Sequence, residues 1–316
     1  MSIQETPTLM TGIFAIIQAV VLLLLTPLFT GISRQIRAKM HSRQGPGVWQ
    51  DYRDIAKLLT RQSVAPRDSG IIFRIMPYVL LGSMLLLAMA LPVVTHTSLF
   101  SGAADIIIVL YIFALFRFFF SLSGLDTGSP FAGIGASREL TLGVLVEPTL
   151  FLGLLVVALI AGSTNIGTIS ATMSEGWVSP TATLLALLAC GFATFIEMGK
   201  IPFDVAEAEQ ELQEGPLTEY SGSGFAMVKL GIGLKQVVVA VLFLSIFFPF
   251  GNASAFTVGS VLLAMGLLLV KLLVIFVLAS LVENSLARGR FLLTHHVTWL
   301  GFGVAALGFV FYLTGL

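Results

Sequence analysis

Charge is what this chain has least of. Only 11% of its 316 residues are Asp, Glu, Lys or Arg, against about 25% in an ordinary soluble domain. Seventeen basic and seventeen acidic side chains cannot cover the surface of a soluble protein of this length. Cysteine is nearly absent too. Cys190 alone excludes a disulfide framework within the chain, a cysteine-held cluster and a cysteine zinc site. Histidines number four. His41 and His96 are isolated, and His295 and His296 are adjacent rather than one helical turn apart, so no helical zinc pair is expected. There is no P-loop, no glycine-rich dinucleotide fingerprint and no haem-attachment motif. The chain is therefore expected to hold no catalytic centre, cofactor or metal of its own, and no nucleic acid is expected among its partners.

What is abundant is apolar sequence, 56% of the residues. Leu80–Val94, Ile106–Phe120, Leu150–Ala161 and Val237–Phe250 are almost free of charge. A bilayer core asks for about 20 such residues per helix. The expected fold is all-α, a polytopic transmembrane bundle of about eight helices with cytoplasmic loops. The expected spans are 9–32, 71–94, 105–123, 139–161, 181–199, 225–250, 257–281 and 295–315. No repeat, linker or soluble boundary interrupts them, so residues 1–316 read as a single integral membrane domain. Residues 1–8 lack Lys and Arg, and the basic residues follow the first apolar run, which is not the order of a cleaved signal.

The loops alternate in charge. Loop 33–70 contains Arg34, Arg37, Lys39, Arg43, Arg53, Lys57, Arg61 and Arg67. Loop 124–138 is bordered by Arg117 and Arg138, loop 200–224 begins with Lys200, and loop 282–294 has Arg288 and Arg290. Loops 95–104, 162–180 and 251–256 have no Lys or Arg. The positive-inside rule makes the first set cytoplasmic and places both termini outside, in the periplasm of a bacterial inner membrane.

In the first loop, Gly45-Pro46-Gly47 marks a turn. Trp49, Tyr52, Ile55, Ala56 and Leu59 then recur at helical spacing, with Arg53, Lys57 and Arg61 as a separate basic stripe. This is the pattern of an interfacial amphipathic helix. It suits membrane-surface anchoring or docking of a soluble partner. The docking candidates are Arg34, Arg37, Arg43, Arg53, Lys57, Arg61, Arg138 and Arg288.

Ionisable residues inside a span cost about 2.5–3.5 kcal/mol each on insertion scales. Glu147, Lys235 and Lys271 are expected to lie deepest. Glu139, Glu197, Lys229 and Glu283 are expected nearer the cytoplasmic ends. Such groups serve either a proton path or structural ion pairs, for example Glu147 with Lys235. Residues 197–219 add Asp204, Glu207, Glu209, Glu211, Glu214 and Glu219, opposed only by Lys200. If 204–214 is helical, Glu207, Glu211 and Glu214 share a face. The run suits proton relay or a solvated acidic surface. The proton-transfer candidates are these six loop carboxylates with Glu139, Glu147, Glu197, Lys235 and Lys271.

The stretch 201–215, IPFDVAEAEQELQEG, followed by Glu219-Tyr220-Ser221-Gly222, resembles the hallmark loop of the complex I subunit 1 family. Arg43-Gln44-Gly45-Pro46 with Lys57-Leu58 resembles that family's first cytoplasmic loop, and Arg138 and Glu147 match its spaced Arg and Glu. Segments 124–131, 135–139 and 283–288 resemble the membrane-anchored hydrogenase branch, of hydrogenase-4 and formate hydrogenlyase type. Leu145-Val146 and Gly47 depart from the quinone-reducing branch. The resemblance implies a membrane anchor of a nickel–iron hydrogenase. Its partners would be hydrogenase large and small subunits, an iron–sulfur protein and antiporter-like membrane subunits. Iron–sulfur clusters and the nickel–iron site would reside in those partners, and buried carboxylates here would couple redox change to proton movement. Two alternatives are a quinone-module subunit of a complex I-like NADH dehydrogenase and a self-contained ion transporter.

Overall fold

The computed structural model describes residues 9–95, 98, 102–253, 258–287, 291 and 294–315, with side chains for all of these except 9, 10, 209, 210 and 258. Among the described residues there is no strand, only the isolated bridges Thr95 to Ala253 and Asp105 to Asn165. Among the described residues eight helices are long and apolar enough to cross a membrane. They are α1 (Leu9–Met40), α3 (Ile71–Ala90), α4 (Ile106–Asp126), α5 (Pro130–Ala161), α7 (Pro180–Glu197), α9 (Gly222–Phe247), α10 (Val258–Ser285) and α11 (Thr294–Thr314). Between them lie the short helices α2 (Gln50–Leu59), α6 (Ile166–Glu175) and α8 (Glu209–Leu212), and a 3-10 turn at Gly215–Leu217. The chain is a multi-pass membrane protein.

Two spans run well past their apolar stretches. Helix α1 continues to Met40 through Arg34, Gln35, Arg37 and Lys39, all residue types that favour helix. Helix α5 starts at Pro130, the favoured first helical position for proline, so Arg138 and Glu139 lie on a helix rather than at a loop's edge. The expected outer loop 162–180 contains α6, whose N-terminus Asn165 caps by accepting from the amides of Gly167 and Thr168.

Small residues bring the helices close. A side chain at Gly153 on α5 would strike Sγ of Cys190 on α7, at 2.6 Å, so the lone cysteine is packing. Gly301 and Gly308 on α11 meet Phe192 and Leu185 of α7 in the same way.

The basic and acidic loops gather at one end of the bundle. Asp126, ending α4, accepts from the amide of Phe73 at 3.0 Å and so caps the N-terminus of α3 from another helix. The Tyr220 hydroxyl donates to the carbonyl of Phe73 at 2.8 Å. That carbonyl lacks its usual helical donor because Pro77, four residues on, has no N–H. The rings of Phe73 and Tyr220 stack 4.1 Å apart. Ser221 bonds both the N–H and the carbonyl of Val64, at 2.9 and 3.0 Å, and Gly222 lies against the backbone of Gln62. The motif Tyr220-Ser221-Gly222 thus fastens the acidic loop to α3 and to the end of the first loop.

Candidate functional site

Arg117 organises the charges inside the bundle. It sits mid-way along α4, in a run expected to be almost charge-free, and its side chain is only 6% exposed. Its Nε donates to Glu139 at 3.2 Å, its Nη1 to Glu147, and its Nη2 to Glu197 at 2.6 Å. Helix α5 makes the seat. Glu139, Gly143 and Glu147 recur every four residues and therefore lie on one face. The guanidinium lies over Gly143 with one carboxylate a turn to either side.

Glu197, the last residue of α7, is the most enclosed of the group, with 1% of its side chain exposed. Its second oxygen pairs with Lys235 of α9 at 2.9 Å, and the Lys235 ammonium also lies over the Phe116 ring, 5.3 Å from its centroid. The pairing expected between Glu147 and Lys235 does not occur. Glu147 goes to Arg117, and Lys235 to Glu197. The result is a network of two cations and three carboxylates, formally −1, spanning α4, α5, α7 and α9. Glu147 is its open end, 38% exposed at the side chain.

At the other end a cavity with about 50 Å³ of room for water opens beneath the acidic loop. Each water needs about 10–15 Å³ measured this way, so a few fit. Glu139, Glu197, Asp204, Glu207, Lys235 and Gln236 contribute its polar lining. Gln236 donates to the Met198 carbonyl at 2.8 Å, and its Oε1 is buried without a protein partner, a position a water would satisfy.

The acidic loop is not a continuous helix over 204–214, so the condition for a shared carboxylate face is not met. Only Glu209–Leu212 is helical, because Ala208, Gln213 and Glu214 take φ of +26°, +49° and +72°, which reverse the chain on both sides. Glu207, Glu211 and Glu214 therefore share no face. Glu207 and Asp204 turn to the cavity, while Glu211 pairs with Arg138 at 2.8 Å on the surface. Glu214 and Glu219 are half-buried outside the cavity, and the Glu209 side chain lies outside the described residues. The loop packs on α5 where Gly135 meets the Ala206 carbonyl and Gly215. Burial pushes the Tyr220 hydroxyl above the ordinary phenol range, which keeps it a donor to Phe73.

Lys271 stands apart from the network. Its ammonium donates to the carbonyls of Phe248, at 2.8 Å, and Phe250, just past the C-terminal end of α9. Lys200 pairs with Glu283 at 3.5 Å. Among the docking candidates, Arg34 pairs with Asp51 and Asp54 and Arg138 with Glu211, whereas Arg37, Arg43, Arg53, Lys57 and Arg61 are exposed. Arg288 lies outside the described residues. Among the described residues no cluster of His, Cys, Asp and Glu has the arrangement of a metal site.

The family model described as NADH dehydrogenase matches residues 13–314. The chain belongs to that family. Within it, hydrogenase-4 component C of Escherichia coli (strain K12) is 69% identical over 304 residues, covering 96% of each chain. Formate hydrogenlyase subunit 4 of the same organism is 57% identical over 302 residues, 95% of this chain and 98% of that one. NADH-ubiquinone oxidoreductase chain 1 of Balaenoptera physalus is 28% identical over 292 residues, 89% and 88% of the two chains. A chain in the structure of the membrane-bound sulfane sulfur reductase, an archaeal respiratory membrane complex, has the same fold. Its TM-score is 0.84 at 23% identity, over 96% of this chain and all of that one. This NADH dehydrogenase family member is thus far nearer in sequence to the two hydrogenase-complex subunits than to the whale protein. The Arg117 network had a readable signal, Glu-x3-Gly-x3-Glu on α5 opposite an arginine within an apolar run.

Proposed function

We propose that this chain is the membrane-anchor subunit of a membrane-bound nickel–iron hydrogenase of hydrogenase-4 or formate hydrogenlyase type. It lies in a bacterial inner membrane with both termini periplasmic. Its basic, cytoplasmic end docks the hydrogenase large and small subunits and an iron–sulfur protein, and its flank joins antiporter-like membrane subunits. Iron–sulfur clusters and the nickel–iron site belong to the soluble partners.

The observation that carries the coupling role is the line of ionisable groups from the loop cavity to the flank. Asp204 and Glu207 line the cavity with Glu139 and Glu197, and Arg117 joins these two to the half-exposed Glu147. Carboxylates clustered on a shared cation in a low-dielectric interior respond strongly to a charge change nearby. A redox event in a partner above the acidic loop would redistribute protons along this line.

Purification of the complex from native membranes tests the assignment. A nickel–iron subunit should accompany the chain. Recovery of a lone, transport-active chain would sink it, and clear inhibition of the complex by a quinone-site inhibitor would favour the quinone-module reading instead. For coupling, Glu147→Gln should leave the complex assembled while impairing hydrogen evolution or its link to proton movement. Normal rates and normal proton translocation in that variant would reduce the chain to an inert anchor.

A further inference from the structure

We infer that α2 is a binding site for anionic phospholipid headgroups, with Arg53, Lys57 and Arg61 as the phosphate-binding groups. Three observations converge on this. The first is depth. After the turn at 41–47 the chain comes back along α1, so that the Val48 carbonyl lies against Gly31 and the Tyr52 hydroxyl donates to the Leu24 carbonyl at 2.6 Å. The α2 carboxylates Asp51 and Asp54 meet Thr30 and Arg34, and only the Tyr52 ring reaches down to Leu24, so α2 lies level with the end of the α1 apolar run at residues 30–34. The α1 tip at Arg37–Met40 extends roughly 20–24 Å beyond Leu24. Leu24 itself is 60% exposed on an apolar flank with Ile17 and Val20, the kind of surface that faces acyl chains. The helix thus sits where that flank ends, at headgroup depth.

The second observation is how α2 distributes its charge. Of its two carboxylates, Asp51 turns inward and Asp54, with 40% of its side chain exposed, leans toward the same arginine of α1. Asp51 accepts from Thr30 at 2.6 Å and pairs with Arg34, and Asp54 lies 3.5 Å from Arg34. Its cations Arg53 and Lys57, with Arg61 two residues past its end, turn outward. Arg53, Lys57 and Arg61 are exposed, and among the described residues none of the three is in an ion pair. Drawing both acids toward Arg34 of α1 leaves Arg53, Lys57 and Arg61 as an outward face of positive charge, complementary to phosphate.

The third is the apolar edge beside that face. Trp49 is 63% exposed and stands 5.4 Å from the Tyr52 ring, and Leu59 is exposed as well. No α2 residue is fully buried. Aromatic rings at this depth are the usual interfacial anchors, and a basic amphipathic helix binds by apolar insertion together with attraction to anionic lipid. The exposed α1 tip, with Arg37, Lys39 and Arg43, is left as the part that reaches a soluble partner.

The test uses the intact complex in nanodiscs of phosphatidylcholine with a minor fraction of phosphatidylglycerol, followed by native mass spectrometry of retained lipid. Wild type should retain phosphatidylglycerol over phosphatidylcholine, with a preference on the order of 100-fold for the three charges together. The combined variant Arg53→Gln, Lys57→Gln, Arg61→Gln should lose most of that preference while keeping every protein subunit. Arg37→Gln with Arg43→Gln should leave it unchanged, and millimolar inorganic phosphate should not displace the lipid. Equal retention by wild type and the triple variant overturns the proposal. So does a triple variant that sheds its soluble subunits yet keeps phosphatidylglycerol, which would make α2 a protein-docking surface.

Discussion

Gly143 and Arg117 share one space. A β-carbon built on Gly143 would lie 2.5 Å from Cδ of Arg117 and 2.6 Å from its Nη1. The guanidinium can bridge Glu139 and Glu147 only because the residue between them has no side chain. Gly143→Ala is expected to push Arg117 off its seat, at a cost of about 1–3 kcal/mol for overpacking. Thermal unfolding of the purified complex, followed through this subunit, reads the effect. Gly82→Ala and Gly266→Ala are the controls, because nothing lies within 4 Å of a side chain added there. They should be neutral or stabilise their helices by about 0.5–1 kcal/mol.

The three carboxylates on Arg117 should behave differently when neutralised. Glu197→Gln leaves both Arg117 and Lys235 short of their buried counter-charge. Breaking such a pair costs about 3–5 kcal/mol, so reduced assembly on native gels is expected. Glu147 lies at the open end and its loss strands no cation, since Arg117 keeps Glu139 and Glu197. The Glu147→Gln complex should assemble normally and show its defect in hydrogen evolution or proton translocation. Equal assembly defects in both variants would mean that the network is purely structural.

How far the sequence led depended on the range of the interaction. Spans were legible because bilayer thickness imposes a local rule on run length. The amphipathic α2 was legible because its stripe repeats within one helix. Helix ends were not, since α1 continues through residues that are polar yet favour helix. Arg117 looked like a loop border because its three partners are contributed by α5 and α7, and nothing local to α4 reveals them. Whether 204–214 is helical stayed open in the sequence, because Ala208, Gln213 and Glu214 adopt a left-handed backbone without the glycine that would announce it. Its anchors to Gly135, Phe73 and Val64 are all distant in sequence.

Tyr220 and Pro77 form a compensating pair that a double-mutant cycle can measure. Tyr220→Phe removes the donor to the Phe73 carbonyl and leaves it buried and unpaired, at a cost of about 1–3 kcal/mol. Pro77→Ala restores the helical N–H four residues on, so the double variant should recover much of that loss. Additive losses would show that the N–H restored at position 77 does not take over the Phe73 carbonyl, and no loss in Tyr220→Phe would show that Tyr220 acts through its ring stacking alone.

The same hydroxyl gives the acidic loop a pH limit. Burial raises the Tyr220 pKa above its unfolded value of about 10. The folded state therefore holds this proton more tightly than the unfolded one. The stability it contributes is fully present below about pH 10 and is lost as pH rises toward the raised folded value. Thermal stability of the Tyr220→Phe variant should lack this alkaline component. An identical alkaline decline in wild type and variant would assign the loss to other groups.

Lys271 allows capping and proton exchange to be separated by chemistry. Its ammonium donates to the Phe248 and Phe250 carbonyls past the end of α9, where no helical N–H is available to them. A cation also suits that negative end of the helix. Glutamine can donate a hydrogen bond but does not titrate, whereas leucine can do neither. If capping is the role, Lys271→Gln should retain coupling and most of the stability, and Lys271→Leu should lose about 1–3 kcal/mol for the stranded carbonyls. If Lys271 passes protons, both variants should lose proton translocation alike, even with the complex fully assembled. Its bonds to two backbone carbonyls, and its distance in the fold from the Arg117 network, favour the first outcome.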